Sequence, residues 1–236
     1  MGLLNNQLFQ KWFGGGALER FGANRLAGLQ MVMLGRHKPR EVLQLLREVR
    51  RERVSLLTGF ESHVIYSLAK AYAHLPGDMA EVGVFQGASA KLLCSAKGDK
   101  SLHLFDTFEG LPKATTEDGT VHREHQYACS LESVQEYLQQ FENVSFHKGL
   151  FPESAAGLEE RQYCLVHLDV DLYQSTLGCL NYFYPRMIPG GVILSHDYSL
   201  LAGVKAAFEE FLKDKPERVF ELPTTQCMLT RLGSTI

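Results

Sequence analysis

Three aspartates and one histidine stand at the ends of two short apolar runs, and their side chains suit acid–base or metal chemistry. Asp169 and Asp171 close the run that starts at residue 164, and His196 and Asp197 follow the run at residues 192–194. Runs this short and this apolar are typical of strands buried on both faces of a parallel sheet. Ligands of such sheets bind beyond the carboxyl ends of the strands. We therefore expect the four side chains to face one crevice.

A predicted helix lies between the two runs, from Tyr173 to Tyr184, and stops at Pro185. A strand, a helix and a strand in this order form a right-handed parallel crossover, so the two strands should end side by side. Clustered carboxylates are unfavourable unless a cation or a shared proton relieves their repulsion. The alternative is that the aspartates only cap the next helix, because Asp is a common N-cap residue. That alternative applies above all to Asp171.

A second group of candidate ligand residues opens the α/β pattern. The segment EVGVFQGAS starts at Glu81 and places Gly83, Gly87 and Ser89 between a predicted strand and a predicted helix. A glycine turn lets the backbone approach a ligand closely, and the helix start offers free N–H groups. Close packing of the backbone is the alternative explanation for these glycines.

Asp106 follows the next predicted strand, where an acid holds the ribose diol in nucleotide-binding sheets. The turn lacks the GxGxxG pattern of dinucleotide binders, and the Glu81 carboxylate would repel a phosphate but attract an ammonium group. An adenosyl group joined to an amino acid is S-adenosylmethionine, which we predict as the cofactor. The end of the third strand, at Gly149, should lie beside the adenine.

Composition excludes several classes of protein. The 236 residues are 45% hydrophobic and 22% charged with a net charge of -3, which gives no reason to expect nucleic acid as a partner. The five cysteines form no CxxC pair and indicate reduced thiols in a cytoplasmic protein. No apolar run is long enough to cross a bilayer, so we expect no integral membrane segment.

The chain is predicted to divide into a helical extension, residues 1–76, and a cofactor-binding domain, residues 77–236. The extension is expected to cover the acceptor site or to form a contact between subunits of a homo-oligomer. The polar stretch Lys113–Ser130 is long for a loop in a compact domain, which suggests a lid or a substrate-binding loop. His122 and His125 are interpreted as histidines of this loop rather than as metal ligands.

Six sequence blocks resemble the macrocin O-methyltransferase family, the TylF/MycF type of sugar methyltransferase. In chain order they are AEVGVFQGAS, LFDTFEGLP, KGLFPES, HLDVDLYQST, FYPRMIPGG and SHDY. The resemblance implies an α/β, Rossmann-like class I methyltransferase fold, whose seven-stranded, mostly parallel sheet ends in an antiparallel hairpin. It also implies a methyl transfer from S-adenosylmethionine to a hydroxyl of a small-molecule or glycan acceptor, with a divalent cation, usually Mg²⁺.

The resemblance assigns roles to residues as well. The methionine part of the cofactor would be held by Glu81, Gly83, Gly87 and Ser89, and its ribose by Asp106. Asp169 would contact both the cofactor and the metal, and Asp171 would be the general base. Family members carry paired aspartates that both bind the metal where this chain has His196 and Asp197, so these two residues are the further candidate metal ligands. His196 could therefore turn away from the ion, select Mn²⁺ or Zn²⁺, or replace the metal as the base.

Two other functions stay open at this point. One is a metal-independent O-methyltransferase of a small hydroxyl compound with His196 as the catalytic base. The other is a non-catalytic nucleotide-binding scaffold, because a fold does not determine a function. A scaffold is expected to have lost Glu81, Asp106 or Asp171 to apolar residues, and all three are present.

Overall fold

The computed structural model describes residues 17–119 and 122–233, with side chains from residue 25 onward. Its helices are α1 (Ala17–Leu34), α2 (Arg40–Glu52), α3 (Gly59–Tyr72), α4 (Ala88–Cys94), α5 (Leu131–Leu138), α6 (Tyr173–Phe183) and α7 (Ala202–Phe211). Its strands are β1 (Asp78–Val82), β2 (Leu102–Asp106), β3 (Val144–Lys148), β4 (Tyr163–Leu168), β5 (Met187–Ser195), β6 (Phe220–Glu221) and β7 (Cys227–Thr230).

The seven strands form one sheet in the order β3-β2-β1-β4-β5-β7-β6. Strands β1 to β5 pair in parallel, and β7 pairs antiparallel with both β5 and β6. The predicted mostly parallel sheet with an antiparallel end is therefore confirmed. The strand order reverses between β1 and β4, so a crevice opens at the carboxyl ends of these two strands.

The core fills both faces of the sheet. Helices α2 to α5 contribute to one apolar cluster, whereas α6 and α7 contribute to the other. All six residues of β4 are buried, because this central strand is covered on both sides. The prediction that this apolar run forms a strand buried on both faces is thus correct.

Strand β5 begins earlier than its sequence suggests. Pro189, Gly190 and Gly191 are typical of a turn, yet they lie inside the strand. The backbone N–H of Gly190 donates to the carbonyl of Arg231, and the N–H of Arg231 donates to the carbonyl of Gly191. These bonds to the chain after β7 extend the strand. The pairing with β4 shifts register between Tyr163 and Leu165 to accommodate it.

The N-terminal helices attach to the sheet domain through polar contacts as well as apolar ones. The Lys91 ammonium of α4 lies 2.6 Å from the Glu52 carboxylate at the end of α2. The Arg53 guanidinium donates to the hydroxyl and the carbonyl of Ser133 in α5, each at 2.9 Å. Among the described residues, no helix has the length and apolar character needed to cross a membrane.

Gly83 is expected to tolerate no side chain. A Cβ on residue 83 would lie 1.9 Å from the carbonyl oxygen of Asp169, and its φ of +87° disfavours any L side chain. Gly157→Ala is the matched control, since its φ is +86° but nothing lies within 4 Å. We predict that Gly83→Ala lowers the free energy of unfolding by about 2 kcal/mol more than Gly157→Ala does. Equal losses in urea denaturation would contradict the close approach.

Glu217 is expected to make stability depend on acid pH. Its buried carboxylate accepts hydrogen bonds from the Tyr184 hydroxyl at 2.6 Å and from Arg231 Nη1 at 2.9 Å. Burial alone would raise the pKa of Glu217, but these bonds outweigh it and lower the pKa below the ordinary value of 4.5. The stabilisation is therefore present above about pH 4.5 and is lost as pH falls through the lowered pKa.

We predict that Glu217→Gln lowers the free energy of unfolding by about 1–3 kcal/mol at pH 7, because the bonds to a charged acceptor are lost. The difference from the wild type should shrink as the pH is lowered below 4.5. Urea denaturation across this range measures it, with Glu209→Gln, an exposed acid of α7, as the control. A difference that stays constant with pH would refute the assignment.

Candidate active site

The turn between β1 and α4 is shaped by Asp106. Its Oδ2 accepts the backbone N–H groups of Val84 at 2.7 Å and Phe85 at 2.9 Å, and its Oδ1 accepts that of Phe108 at 2.7 Å. Phe85 has a φ of +48°, in the left-handed region that a non-glycine residue rarely adopts. The carboxylate of Asp106 therefore holds a strained turn in place from the neighbouring strand.

Glu81 lies within β1, before the turn, and is fully buried. Its Oε1 is 2.8 Å from Nδ1 of His167, its partner residue on β4, while its Oε2 has no hydrogen-bond partner among the described residues. Burial raises the pKa of Glu81, and the hydrogen bond and charge of His167 offset part of that rise. A buried acid with one unpaired oxygen has capacity for a further polar contact.

One cavity of about 510 Å³ extends from this turn across the carboxyl ends of the central strands. Several residues predicted to bind the cofactor line it: Gly83, Ser89, Asp106, Gly149 and Asp169. Glu81 and Gly87 do not line it. The remaining wall is largely apolar and includes Leu26, Val54, Leu56, Leu57 and Leu111.

The sheet itself brings the acids and the histidine together. The N–H of Asp169 donates to the carbonyl of Val82 at 2.9 Å, and the N–H of His196 donates to that of Leu168 at 2.8 Å. The hydrogen-bond ladder thus continues past the ends of the strands. The expectation that these side chains face one crevice is correct, since Asp169, Asp171, His196 and Asp197 all line the cavity.

The ring of His196 lies at the centre of three carboxylates. Its Nδ1 is 3.0 Å from Asp197 Oδ2 and 3.4 Å from Asp169 Oδ1, and its Nε2 is 3.5 Å from Glu61 Oε2. These distances fit ion pairs, but neither ring nitrogen makes an aligned hydrogen bond with the described residues. The imidazole is 9% exposed, so both nitrogens are polar atoms in need of partners.

The charges of this cluster shift one another's pKa values. Burial raises the pKa of Asp171 well above its ordinary value, and the carboxylates of Asp197 and Asp169 raise it further. Burial alone would lower the pKa of His196, but the same two carboxylates outweigh it and hold that pKa well above the ordinary range. Burial would likewise raise the pKa of Glu61, but the nearby charge of His196 and the hydrogen bond from the N–H of Thr58 lower it.

Asp171 does not cap the helix that follows it. The N-cap position of α6 is Leu172, and the N–H of Tyr173 donates to Oδ1 of Asp118 at 2.6 Å instead. The cap thus comes from the predicted lid, whose short 3₁₀ turn ends at Asp118. The alternative in which Asp171 serves only as a cap is therefore wrong, and its carboxyl group is available for chemistry.

Backbone strain concentrates at the same place. Asp171 has a φ of +58° and Asp197 a φ of +57°, both in the left-handed region. Such conformations cost about 1–3 kcal/mol each and persist where the surrounding structure imposes them, often at functional sites. Two strained aspartates on adjacent strand ends indicate that the position of these carboxyl groups matters more than local stability.

Two further residues of the site were not identified from the sequence. Glu61 of α3 is one of them, and the structure shows that it also forms a helix capping box with Thr58, a local pattern that does not indicate a site. His122 was interpreted as a loop histidine, yet it lines the cavity and neither of its ring nitrogens has a described partner. Burial lowers the pKa of His122, and Asp197 and Asp118 offset part of that effect.

A comparison with models of known protein families identifies the family of this chain. The sequence model of the macrocin O-methyltransferase (TylF) family matches residues 63–221. The chain belongs to this family. The match begins inside α3 and so includes all of the predicted cofactor and metal residues, whereas Glu61 lies just before it.

Curated O-methyltransferases are similar to part of the chain. The 8-demethyl-8-(2,3-dimethoxy-alpha-L-rhamnosyl)-tetracenomycin-C 4'-O-methyltransferase of Streptomyces olivaceus is 31% identical over 142 residues, covering 53% of this chain and 54% of that protein. The mycinamicin III 3''-O-methyltransferase of Micromonospora griseorubida is 29% identical over 153 residues, covering 57% of this chain and 60% of that protein. The alignments therefore span little more than half of each relative.

Solved structures of other methyltransferases share the fold. The O-methyltransferase NovP has a TM-score of 0.67 at 22% identity, covering 76% of this chain and 82% of its own. The calicheamicin methyltransferase CalS11 has a TM-score of 0.65 at 17% identity, covering 94% of this chain and 96% of its own. The predicted class I, Rossmann-like methyltransferase fold is thereby confirmed.

The strain and repulsion at Asp171 lead to a stability prediction. Asn lacks the charge and adopts the left-handed region readily, so Asp171→Asn should raise the free energy of unfolding by about 1 kcal/mol in the presence of chelator. Urea denaturation at pH 7 measures the change. Asp214→Asn, which changes an exposed acid outside the cavity, is the control and should have no effect. A loss of stability at residue 171 would show that the carboxyl group supports the fold.

Proposed function

We propose that this protein is an S-adenosylmethionine-dependent O-methyltransferase that acts on a hydroxyl of a sugar carried by a small natural product. The observation that supports this most is the shared cavity, which joins the glycine turn of β1 to the carboxyl groups beyond β4 and β5. The names of the curated relatives support a sugar acceptor, because the tetracenomycin relative acts at a 4' position and the mycinamicin relative at a 3'' position.

The cofactor would occupy the part of the cavity lined by Gly83, Ser89 and Asp106. Backbone at Gly83 and the start of α4 would receive the methionine part, and the unpaired Oε2 of Glu81 would offer a further polar contact from behind the turn. Asp106 would accept hydrogen bonds from the ribose hydroxyls in addition to those from the turn, since an ionised carboxylate offers about four acceptor sites. Gly149 and its neighbours at the end of β3 would border the adenine.

The residues at the far end of the cavity fit a divalent cation. Ligand atoms of Asp169, His196 and Asp197 all lie within 4.8 Å of one another. Two carboxylates and one imidazole nitrogen without an aligned hydrogen bond form a mixed oxygen and nitrogen donor set, which suits Mn²⁺ or Zn²⁺ as well as Mg²⁺. When bound, the cation would lower the pKa of the acceptor hydroxyl and orient it.

Asp171 is the residue we assign as the general base. Its raised pKa suits proton transfer near neutral pH better than an ordinary carboxylate does. The carboxylate would take the proton from the acceptor hydroxyl as the oxygen attacks the methyl carbon and the carbon–sulfur bond breaks. The products are the methyl ether and S-adenosylhomocysteine. Holding the oxygen, carbon and sulfur atoms in line supplies much of the remaining rate enhancement.

His196 is less suited to be the base than Asp171. The carboxylates around it favour the protonated imidazolium, which has no lone pair to accept a proton. This observation favours Asp171 over His196 as the general base. A non-catalytic scaffold would have no use for the strained conformations of Asp171 and Asp197.

The N-terminal helices would act as a cap over the acceptor. Leu26 of α1, the segment from Val54 to Thr58 and Glu61 of α3 contribute to the wall of the cavity. Val54 also donates its N–H to the side chain of Gln86 in the cofactor turn, at 2.9 Å. The extension would thus exclude water from the site and contact the apolar body of the acceptor.

Binding of the cofactor is the first test. Isothermal titration of S-adenosylmethionine into protein stripped with chelator should give micromolar affinity that is lost in Asp106→Ala. Asp99→Ala, which changes an exposed acid outside the cavity, should bind like the wild type. Absence of binding to the wild type would reject the proposed function.

Methyl transfer is the second part of the same test. With glycosylated natural products as acceptors, Asp171→Asn should lower kcat by about 10²–10⁴-fold, as expected for the loss of a general base, with little change in cofactor affinity. Chelator should abolish activity, and Mg²⁺, Mn²⁺ or Zn²⁺ should restore it. Full activity in chelator would remove the metal from the mechanism, and full activity of Asp171→Asn would remove the proposed base.

A further inference from the structure

Glu61 is a buried acid of α3 that contacts three separate parts of the protein. It is 2% exposed. Its Oε2 accepts the N–H of Thr58 at 2.7 Å, and its Oε1 accepts the hydroxyl of Thr225 at 2.8 Å. The same Oε2 lies 3.5 Å from Nε2 of His196. The carboxylate therefore contacts the N-terminal helices, the turn before β7 and the ring of His196.

A helix cap alone does not account for this arrangement. Capping requires the contact of Glu61 with the N–H of Thr58, and it can be made by a glutamate at the surface. Here the carboxylate is buried, its second oxygen is held by Thr225, and its charge faces an imidazole. Burial of an unpaired carboxylate is unfavourable, so a partner of opposite charge or a hydrogen-bond donor is expected.

The two nitrogens of His196 face different partners. Nδ1 faces Asp169 and Asp197, whereas the carboxylate that Nε2 faces in the described part of the chain is that of Glu61. We propose that Glu61 is a positioning residue that accepts the Nε2 proton of His196 and so keeps Nδ1 directed at the two aspartates. This is the arrangement by which a carboxylate behind a histidine selects the ring nitrogen that serves the site.

Thr225 fixes the orientation of the Glu61 carboxylate. Its hydroxyl and its N–H both donate to Oε1 of Glu61, at 2.8 and 3.3 Å, which prevents the carboxylate from rotating. Oε2 is then directed at His196 and at the N–H of Thr58. In this way α3 contributes to the active site without lying at the carboxyl end of any strand. The inference rests on the proposed function only for its effect on catalysis, since the orientation of the ring can be measured separately.

The test uses the full chain labelled with ¹⁵N-histidine and stripped with chelator, with the His196 resonances assigned from His196→Asn. In the wild type, the Nε2 proton should be protected from exchange with water. Glu61→Gln should lose that protection and shift both ring nitrogens. Thr58→Ala is the matched control, because it removes the hydroxyl that accepts the N–H of Glu61 but leaves the carboxylate in place.

A purely structural role for Glu61 predicts a different result. Both variants would then lose thermal stability to a similar degree while the ring nitrogens of His196 kept their wild-type resonances, and the proposal would be overturned. If Glu61→Gln does not fold, Glu61→Asp takes its place. It keeps the charge but withdraws the carboxylate by one methylene, so it should also expose the Nε2 proton.

Mn²⁺ titration gives a second readout. Glu61→Gln should weaken Mn²⁺ binding by about 10–100-fold, the usual effect of removing the partner behind a ligating histidine, while Thr58→Ala should not. Unchanged Mn²⁺ affinity in Glu61→Gln would contradict the positioning role. A wild type that binds no Mn²⁺ would reject the metal in the proposed function, and the ring resonances would still decide the role of Glu61.

Discussion

The close approach of β1 and β4 is the constraint on which the site depends. Gly83 and the carbonyl of Asp169 meet where a side chain on residue 83 would otherwise lie. Because the two strands run in parallel on either side of the switch in strand order, this contact joins the turn between β1 and α4 to Asp169. The backbone thereby sets the distance between the two halves of the cavity before any ligand is bound.

Electrostatics at the site oppose the stability of the fold. Asp169, Asp171 and Asp197 lie close together at the ends of two strands, and the ring of His196 lies beside Asp169 and Asp197 as a nearby positive charge. The left-handed conformations of Asp171 and Asp197 add backbone strain. Buried apolar surface on both faces of the sheet offsets these costs, as is common where function and stability compete.

The N-terminal region contributes residues to the wall of the cavity and to the network around His196. Its helices supply apolar wall residues, the link from Val54 to Gln86 and the carboxylate of Glu61. Contacts from Glu52 and Arg53 attach the same region to α4 and α5. The turn between β1 and α4, the loop residues His122, Gln126 and Tyr127, and the N-terminal region therefore all meet around one cavity.

Sequence alone determined the sheet, the crossover and the grouping of Asp169, Asp171, His196 and Asp197, because short apolar runs and the handedness of crossovers are local or general rules. The sequence also predicted the glycine turn after β1 and the position of Asp106 at the end of β2. Only the tertiary structure revealed Glu61 and His122 as part of the site, and the contact of Asp118 with α6. Those placements depend on packing between segments far apart in the chain, and a cap or a loop histidine has the same local pattern whether or not it faces a cavity.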